Sequence, residues 1–491
     1  MSLGNNIRRG ALWLFIGNTG NQILGFLLGI ILARILAPED FGMILTIQIF
    51  TGLVGMVSGG GMGQALVRAK EATKADYNAV FTLQLAIGLA IYACFFAVAP
   101  WFADWYQTPL YADLLRVSAL SFILRPFVNL PSNMLHREMR YKAKAMMQLI
   151  NLLLSNSLAI GMGLSGYGVW SLTISGLICS AVSSLILMRV SGWRPSLTAN
   201  LGRARELARY GMLASANDIV VYLQQQVSTF VLSRGAGPTA VGHYNKADSI
   251  AYLPQRFVTG SVYDVLFRAL AKEQDNLDLS RYLYFRSITL VALYALPLYV
   301  GLYFVAEPLI LLLYGSKWQA AAAPISVLVM AGPFMIVENL SGAVLAARNR
   351  LGKELVVQLL MLAILVAAIL AGIPYGLRGV AVAFVSASIY RMFHMYWLAS
   401  RALEARPAKL LAALSGPLLI AALMALTLAL ADSLQPAGLS GSGLPYLVYM
   451  GSIGGAVYAA LFFMLPIAEI RSESARWKAK IVPLLRRSAK Q

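Results

Sequence analysis

The chain alternates between long apolar stretches and short polar gaps along nearly its whole length. The hydrocarbon core of a bilayer is about 30 Å thick, so a helix needs roughly 20 mainly apolar residues to cross it. Fourteen stretches meet that requirement, and each predicts one transmembrane helix. The predicted helices cover residues 11–33, 41–66, 77–100, 111–134, 145–165, 167–188, 210–233, 240–267, 287–306, 319–347, 355–374, 379–400, 410–431 and 443–466.

Lys and Arg residues concentrate in every second gap between these helices. Of the 40 Lys and Arg residues, 31 lie at the N-terminus, in the gaps after even-numbered helices or in the C-terminal tail. The gaps after odd-numbered helices hold only Arg34, Arg234, Lys317 and Arg378. Because short cationic loops are retained in the cytoplasm, the pattern predicts that both termini are cytoplasmic.

Composition excludes a soluble protein and changes how the net charge is interpreted. Hydrophobic residues make up 59% of the chain and charged residues 12%, with a mean hydropathy of +0.68, so lipid must be the solvent. The net charge of +19 follows from the loop asymmetry, and no nucleic-acid partner is predicted. The basic tail over 471–490 is expected to lie against anionic membrane lipids.

An internal repeat groups the predicted helices. Arg34, Pro38 and Gly42 recur at an offset of 200 as Arg234, Pro238 and Gly242, and six further residues between 129 and 149 recur at an offset of 210. The fold class predicted is therefore all-α integral membrane, with about 14 transmembrane helices in two pseudo-symmetric six-helix lobes. The lobes are residues 1–190 (N-lobe) and 205–403 (C-lobe), and residues 404–491 hold two C-terminal helices and the basic tail.

Four short motifs resemble those of a known transporter family. They are Leu36-Ala-Pro-Glu-Asp-Phe-Gly42, the set Arg125-Pro126, Leu130-Pro131 and Leu135-His-Arg137, Tyr244-Asn-Lys-Ala247, and Gly315-Ser-Lys-Trp318. Together they resemble the O-antigen and colanic acid type of polysaccharide flippase in the multidrug/oligosaccharidyl-lipid/polysaccharide exporter superfamily. The resemblance implies a protein of the bacterial inner membrane. It would flip an undecaprenyl-pyrophosphate-linked oligosaccharide to the periplasmic leaflet by alternating access.

Ionisable residues inside the predicted helices are the first candidates for substrate binding, because each is costly unless it faces protein or water. Four of them lie roughly 12 to 19 residues from the periplasmic end of their predicted helices, where each residue adds about 1.5 Å of depth. They are Arg125, Arg256, Glu338 and Arg391. Asp218 lies at a similar depth. Three cations against two anions leave a positive surplus that suits a pyrophosphate. The alternative is ion pairing between lobes, for example Asp218 with Arg256.

Uncharged polar residues on helices 1 and 7 predict a wall for the sugars. Asn18 and Gln22 recur at helical spacing on helix 1, and Asn217, Tyr222 and Gln225 do so on helix 7. Hydrogen bonding between helices is the alternative for these residues. Lys246, in the third motif, completes the candidate substrate-binding set. Gly55, Gly59 and Gly63 are predicted to permit close helix packing.

Other functions fit the sequence less well. The three histidines are scattered, so neither catalytic residues nor a metal site is predicted. A glycan polymerase or ligase should carry a large periplasmic loop, whereas a multidrug exporter of the same superfamily should have a net acidic site. The protein is thus predicted not to be an enzyme and to need no cofactor, with H⁺ or Na⁺ as the candidate coupling ion. The candidate partners are the lipid-linked oligosaccharide and a polymerase of the same pathway.

Overall fold

The structure is a computed structural model that describes residues 20–59, 61–69, 71–436, 443–465, 467 and 471–479. Every regular element in these residues is helical. The first half contains α1 (Gly20–Ile35), α2 (Pro38–Gly59), α3 (Met62–Arg68), α4 (Lys74–Trp105), α5 (Leu110–Ala119), α6 (Ser121–Arg137), α7 (Tyr141–Leu164), α8 (Val169–Ser191) and α9 (Gly202–Gly235).

The second half contains nine more α-helices and several tighter or wider turns. They are α10 (Gly237–Ala251), α11 (Gly260–Lys272), α12 (Leu277–Tyr314), α13 (Ala322–Leu328), α14 (Gly332–Ala347), α15 (Leu351–Gly372), α16 (Gly376–Ala402), α17 (Lys409–Ser433) and α18 (Leu444–Met464). A π-turn at Gln255–Thr259 separates α10 from α11, and a 3₁₀ turn at Ser316–Ala321 precedes α13.

Local sequence explains where several of these helices begin. Thr73 and Asp76 form a reciprocal capping box at the start of α4, which satisfies backbone N–H groups that the first turn leaves without partners. Asn276 caps α12 by accepting a hydrogen bond from the backbone N–H of Leu279 at 3.0 Å. Polar caps therefore mark the borders between loop and helix at the starts of α4 and α12.

Length and hydropathy identify a multi-pass membrane protein. Within the described residues, ten ranges are long and apolar enough to cross a membrane. One of them, Val356–Ala402, contains most of α15 and α16, which pack along each other. Helix α9 is excluded by its polar composition, and the predicted helix 8 is divided into α10, the π-turn and α11. The total of fourteen spans remains a prediction.

The chain divides by packing into two compact units, residues 1–242 and 243–491. Helix α9 packs on α2, α3 and α4 and so belongs to the first unit. The sequence repeat instead places this helix at the start of the predicted C-lobe. Packing and repeat symmetry are different criteria, and the lobe boundaries stay a prediction.

Repeat-equivalent residues meet within the first unit. A Cβ atom added to Gly42 would overlap the carbonyl of Pro238, and one added to Gly242 would overlap the carbonyl of Pro38. Each repeat's proline thus contacts the other repeat's glycine, as a local two-fold relation between the helix starts requires. The contact explains why glycine stands at both positions, because any larger residue would push the two backbones apart.

A short helix at 471–479 docks on α12 in the second unit. Arg286 donates a hydrogen bond to the Ser472 hydroxyl at 2.9 Å and lies 3.7 Å from the Glu473 carboxylate. The Tyr294 hydroxyl donates to Glu473 at 3.0 Å and accepts from the Trp477 indole N–H at 2.9 Å. The described start of the basic tail therefore binds protein, and its predicted contact with lipid remains an expectation.

Candidate functional site

Arg125 lies within α6 and reaches toward α2. Its Nη2 donates a hydrogen bond to the Thr51 carbonyl oxygen at 3.2 Å, and its guanidinium carbon lies 4.7 Å from the centre of the Phe122 ring. Among the described residues this is the single hydrogen bond of a group with five N–H donors. Within the described residues, no carboxylate pairs with this half-buried guanidinium. The guanidinium can therefore still bind an anion.

The glycines of α2 and α3 make room for polar side chains. A Cβ at Gly55 would overlap the Arg125 guanidinium, one at Gly52 the Tyr222 hydroxyl, and one at Gly63 the Asn133 amide. In the described residues, no atom outside the adjoining helix backbone lies within 4 Å of such a Cβ at Gly59. The glycine spacing was expected to allow helix backbones to approach; at Gly55 and Gly63 the space holds a side chain instead.

Tyr222 is anchored to α2 beside Arg125. Its hydroxyl lies 2.8 Å from the Gln48 carbonyl oxygen and 3.2 Å from that of Ile49, and donates to them. Both acceptors belong to the backbone of α2, where the carbonyl of Thr51 accepts from Arg125. Hydrogen bonding between helices, the alternative to sugar binding, therefore accounts for the Tyr222 hydroxyl. These bonds fix α9 against α2.

Glu338 and Arg391 form an ion pair in the second unit. Arg391 Nη2 lies 3.1 Å from Glu338 Oε1, and the two side chains are 24% and 14% exposed, respectively. Arg391 Nε has no hydrogen-bond partner in the described residues. The sequence placed both residues at one depth but left open whether they bind a ligand or a protein charge; in this structure they bind each other.

Arg256 lies in the π-turn that interrupts the predicted helix 8, and its side chain is exposed. Pro254 precedes the turn; it lacks a backbone N–H and displaces a helical carbonyl, which explains the break. Asp248, on α10, lies close enough for a charge interaction with Arg256. Asp248 is not among the residues predicted from the sequence, although an acidic residue inside a predicted span is a sufficient signal.

Two of the family-like motifs meet around Lys246. Its Nζ lies 5.4 Å from the centre of the Tyr314 ring and 5.7 Å from that of Trp318. Trp318 is fully buried, and the His243 ring lies 5.7 Å from it. An ammonium held over aromatic faces is stabilised by the ring quadrupoles. The motifs at 244–247 and 315–318 thus form one packed cluster.

The other predicted site residues are dispersed. Gln22 lines a polar cavity of about 640 Å³ within the first unit, together with residues of α6, α7 and α8. Gln225 is exposed on α9. Asn18 and the side chains of Asn217 and Asp218 lie outside the described residues. In the described part of the chain, no cluster of three or more His, Cys, Asp or Glu could hold a metal ion.

The chain is similar to proteins of polysaccharide biosynthesis. The family profile described as "Polysaccharide biosynthesis protein" matches residues 31–323. The "Succinoglycan biosynthesis transport protein ExoT" of Rhizobium meliloti is 28% identical over 315 residues, and the match spans 64% of each chain, just under two thirds of that relative. The "Lipopolysaccharide biosynthesis protein WzxC" of Escherichia coli is 24% identical over 71% of this chain and 72% of its own length.

Two solved structures share the fold. The lipid II flippase MurJ, in an inward closed conformation, matches with a TM-score of 0.74 over 96% of this chain and 100% of its own, at 16% identity. An inward-facing multidrug resistance transporter of the MATE family matches with a TM-score of 0.63 over 80% of this chain and 98% of its own, also at 16% identity. At such identity the likeness concerns the fold alone.

Proposed function

This chain belongs to the polysaccharide biosynthesis protein family, and we propose that it is a membrane transporter that flips an undecaprenyl-pyrophosphate-linked oligosaccharide repeat unit. The movement runs from the cytoplasmic to the periplasmic leaflet of the bacterial inner membrane by alternating access. Its direction rests on the predicted cytoplasmic termini, and the carrier lipid rests on the family. Relatives of this chain are named for the biosynthesis or transport of different polysaccharides: succinoglycan, lipopolysaccharide and teichuronic acid. The glycan itself is therefore left open.

Arg125 is the observation that carries the proposal. A cation in the middle of an apolar helix needs a compensating partner, yet the described residues give it one backbone carbonyl and an aromatic ring. A pyrophosphate would supply the missing negative charge, and its oxygens match the planar fork of guanidinium donors. The carbonyl of Thr51 holds one arm of that fork, so the remaining donors are oriented before the substrate arrives.

Arg256 and Lys246, in the second unit, are proposed as further cations that bind the anionic substrate. The exposed guanidinium of Arg256 stands on a π-turn, an element that often occurs at functional sites. Asp248 offsets part of its charge, which suits a site that must release its anion as well as bind it. Arg391 is assigned a structural role because Glu338 neutralises it.

A multidrug exporter of the same superfamily is the second candidate function. Binding of an organic cation requires an accessible carboxylate, whereas in this structure Glu338 is paired with Arg391 and Asp248 lies close enough to Arg256 for a charge interaction. The cationic residue Arg125 would repel such a drug. The observations therefore favour an anionic substrate. H⁺ and Na⁺ remain the candidate coupling ions.

Substitution of Arg125 tests the proposed function in cells that depend on this protein for polysaccharide export. We expect Arg125→Ala to reduce export at least 100-fold while membrane abundance stays within twofold of wild type. Arg125→Lys should keep part of the activity, because the charge remains but the bidentate geometry is lost. Surface polysaccharide and protein abundance are measured in the same cultures.

Arg116→Ala provides the matched control. Arg116 belongs to the same predicted span, lies over the Phe96 ring at 4.6 Å and pairs with Asp113 at 3.7 Å. Its removal costs a comparable aromatic contact but no proposed ligand, so export should stay near the wild-type level. Normal export by Arg125→Ala at equal abundance would contradict the proposal.

A further inference from the structure

The cavity that contains Gln22 has an uncharged polar lining. It measures about 640 Å³, within the roughly 300–1,000 Å³ typical of small-molecule sites. None of the twelve lining residues in the described part of the chain is Asp, Glu, Lys, Arg or His. Five of the twelve carry side-chain amides: Asn21, Gln22, Gln148, Asn151 and Asn156. Serine hydroxyls from α7 and α8 complete the polar surface.

The lining follows the helical repeat on two neighbouring helices. On α7 the lining positions 148, 151, 152, 155 and 156 share one face, and on α8 the positions 176, 179, 180 and 183 do the same. A face of this kind on a membrane helix is expected to bind another helix, water or a ligand. The α8 face supplies small residues, which leave space in front of the longer amides of α7.

Some of these polar groups hold the helices together. Asn151 Oδ1 accepts a hydrogen bond from the Ser183 hydroxyl and lies 3.6 Å from Cys179 Sγ. Asn156 Nδ2 donates to the Leu152 carbonyl at 2.8 Å. Hydrogen bonding between and within helices explains these two asparagines without a ligand.

The remaining amides are not explained by helix packing. Asn21 Oδ1 is buried and has no hydrogen-bond partner in the described residues, and the side chains of Gln22 and Gln148 are exposed. Gln22 lies eleven residues inside the predicted span 11–33, whereas Gln148 lies three residues inside the predicted span 145–165, near its end. An amide within the hydrocarbon is costly against lipid, so Asn21 and Gln22 are expected to face water or a polar ligand.

The cavity lies beside the proposed pyrophosphate site. Val128 lines it, and Arg125 lies three residues earlier on the same helix. Side chains with this spacing are neighbours on a helix surface, with Cβ atoms about 5–6 Å apart. In a lipid-linked glycan the first sugar is bonded directly to the pyrophosphate, so a sugar subsite is expected at this distance from Arg125.

We propose that this cavity binds the sugar residues of the lipid-linked substrate, an inference that rests on the proposed function. Amides both donate and accept hydrogen bonds at fixed geometry, which suits the paired hydroxyls of a neutral glycan. The absence of charge in the described lining leaves the pyrophosphate to Arg125. The two parts of the substrate are then bound by different groups. The Arg125 guanidinium binds the pyrophosphate, which all such substrates share, and the amides recognise the glycan.

Binding by the purified full-length protein separates the two parts. The probes are undecaprenyl diphosphate without sugar and the lipid-linked repeat unit extracted from a host strain that lacks its polymerase. The double variant Gln22→Met/Gln148→Met keeps side-chain length but removes both amides. We expect it to weaken binding of the lipid-linked repeat unit about 10-fold and to leave the Kd of undecaprenyl diphosphate unchanged.

The control is Gln64→Met, which removes an exposed amide from α3, outside the cavity. It should alter neither Kd. Unchanged binding of both probes by the double variant, or equal weakening of both, would overturn the sugar subsite. Failure of the wild-type protein to bind either probe would instead contradict the proposed function, on which the subsite depends.

Thiol labelling keeps the inference testable if the double variant folds poorly. The chain has two cysteines, Cys94 and Cys179, so Ser155→Cys can be placed in a Cys94→Ala/Cys179→Ala background. The lipid-linked repeat unit should slow labelling of this cavity thiol several-fold, whereas undecaprenyl diphosphate should not. Equal labelling rates with and without the lipid-linked repeat unit would contradict the assignment.

Discussion

Two arginines within apolar helices, Arg125 in the first unit and Arg391 in the second, reach opposite electrostatic outcomes. Arg391 lies 3.1 Å from the Glu338 carboxylate, so the pair is neutral as a whole. Arg125 has a backbone carbonyl and an aromatic ring as its described partners, neither of which carries a formal charge. In the sequence, the two arginines lie at similar depths in their predicted helices, which made them look equivalent. The comparison teaches that the partner, and not the burial of a charge, separates a structural arginine from a candidate ligand.

Removal of the acid in the second unit should have the largest effect on stability. Glu338→Gln leaves the Arg391 guanidinium poorly exposed and without its nearest counter-charge, with Glu354 as the remaining carboxylate close enough for a charge interaction, which is expected to cost on the order of 3 kcal/mol. We therefore expect a marked loss of membrane abundance and a lower unfolding temperature. Thermal unfolding of the detergent-solubilised protein measures the effect.

The double variant Glu338→Gln/Arg391→Gln serves as the control for that prediction. It removes both charges, so abundance and unfolding temperature should recover most of the loss. If Glu338→Gln were as stable as wild type but failed to export, the pair would be a substrate site and the contrast with Arg125 would disappear.

Crowding of Arg125 from the opposite helix should have a smaller, purely functional effect. Gly55→Ala adds a Cβ where the guanidinium lies, whereas Gly59→Ala adds one that meets no described atom outside the adjoining helix backbone within 4 Å. We expect a several-fold loss of export for Gly55→Ala and none for Gly59→Ala, since alanine favours helix over glycine by about 1 kcal/mol. Equal export by the two variants at matched abundance would show that the position of the guanidinium is unimportant.

Loss of the neighbouring hydroxyl should have the smallest effect. Tyr222→Phe removes the hydrogen bonds to the backbone of α2 but retains the ring. A net loss of about 1 kcal/mol in unfolding free energy is expected, with export reduced less than twofold. A loss as large as that of Arg125→Ala would assign Tyr222 to the substrate site and not to anchoring.

Sequence predicted the all-helical, multi-span character of the chain because hydropathy over a membrane-length window is a local property. Contacts between segments that are distant in the chain depend on packing, and hydropathy does not predict them. The spacing of Pro38/Gly42 and Pro238/Gly242 indicated a repeat but not that the two pairs touch. Depth counting put Glu338 and Arg391 at one level, yet it could not decide between a protein partner and a ligand.

The polar cavity shows a signal that was present but overlooked. Amides at 148, 151 and 156 share a helical face, which sequence periodicity can reveal. That α8 would oppose this face with small residues depends on how the helices pack. Pro254 likewise marked a break in the predicted helix 8, whereas the π-turn that exposes Arg256 could not be derived from a proline alone.

Translocation in proteoliposomes tests the central claim most directly. The purified protein is reconstituted with a fluorescent lipid-linked oligosaccharide, and the fraction that becomes accessible to a membrane-impermeant quencher is followed with time. The account predicts rapid translocation by the wild type and by Arg116→Ala, and a rate near that of protein-free vesicles for Arg125→Ala. Translocation by Arg125→Ala at the wild-type rate, or none by the wild type, would contradict it.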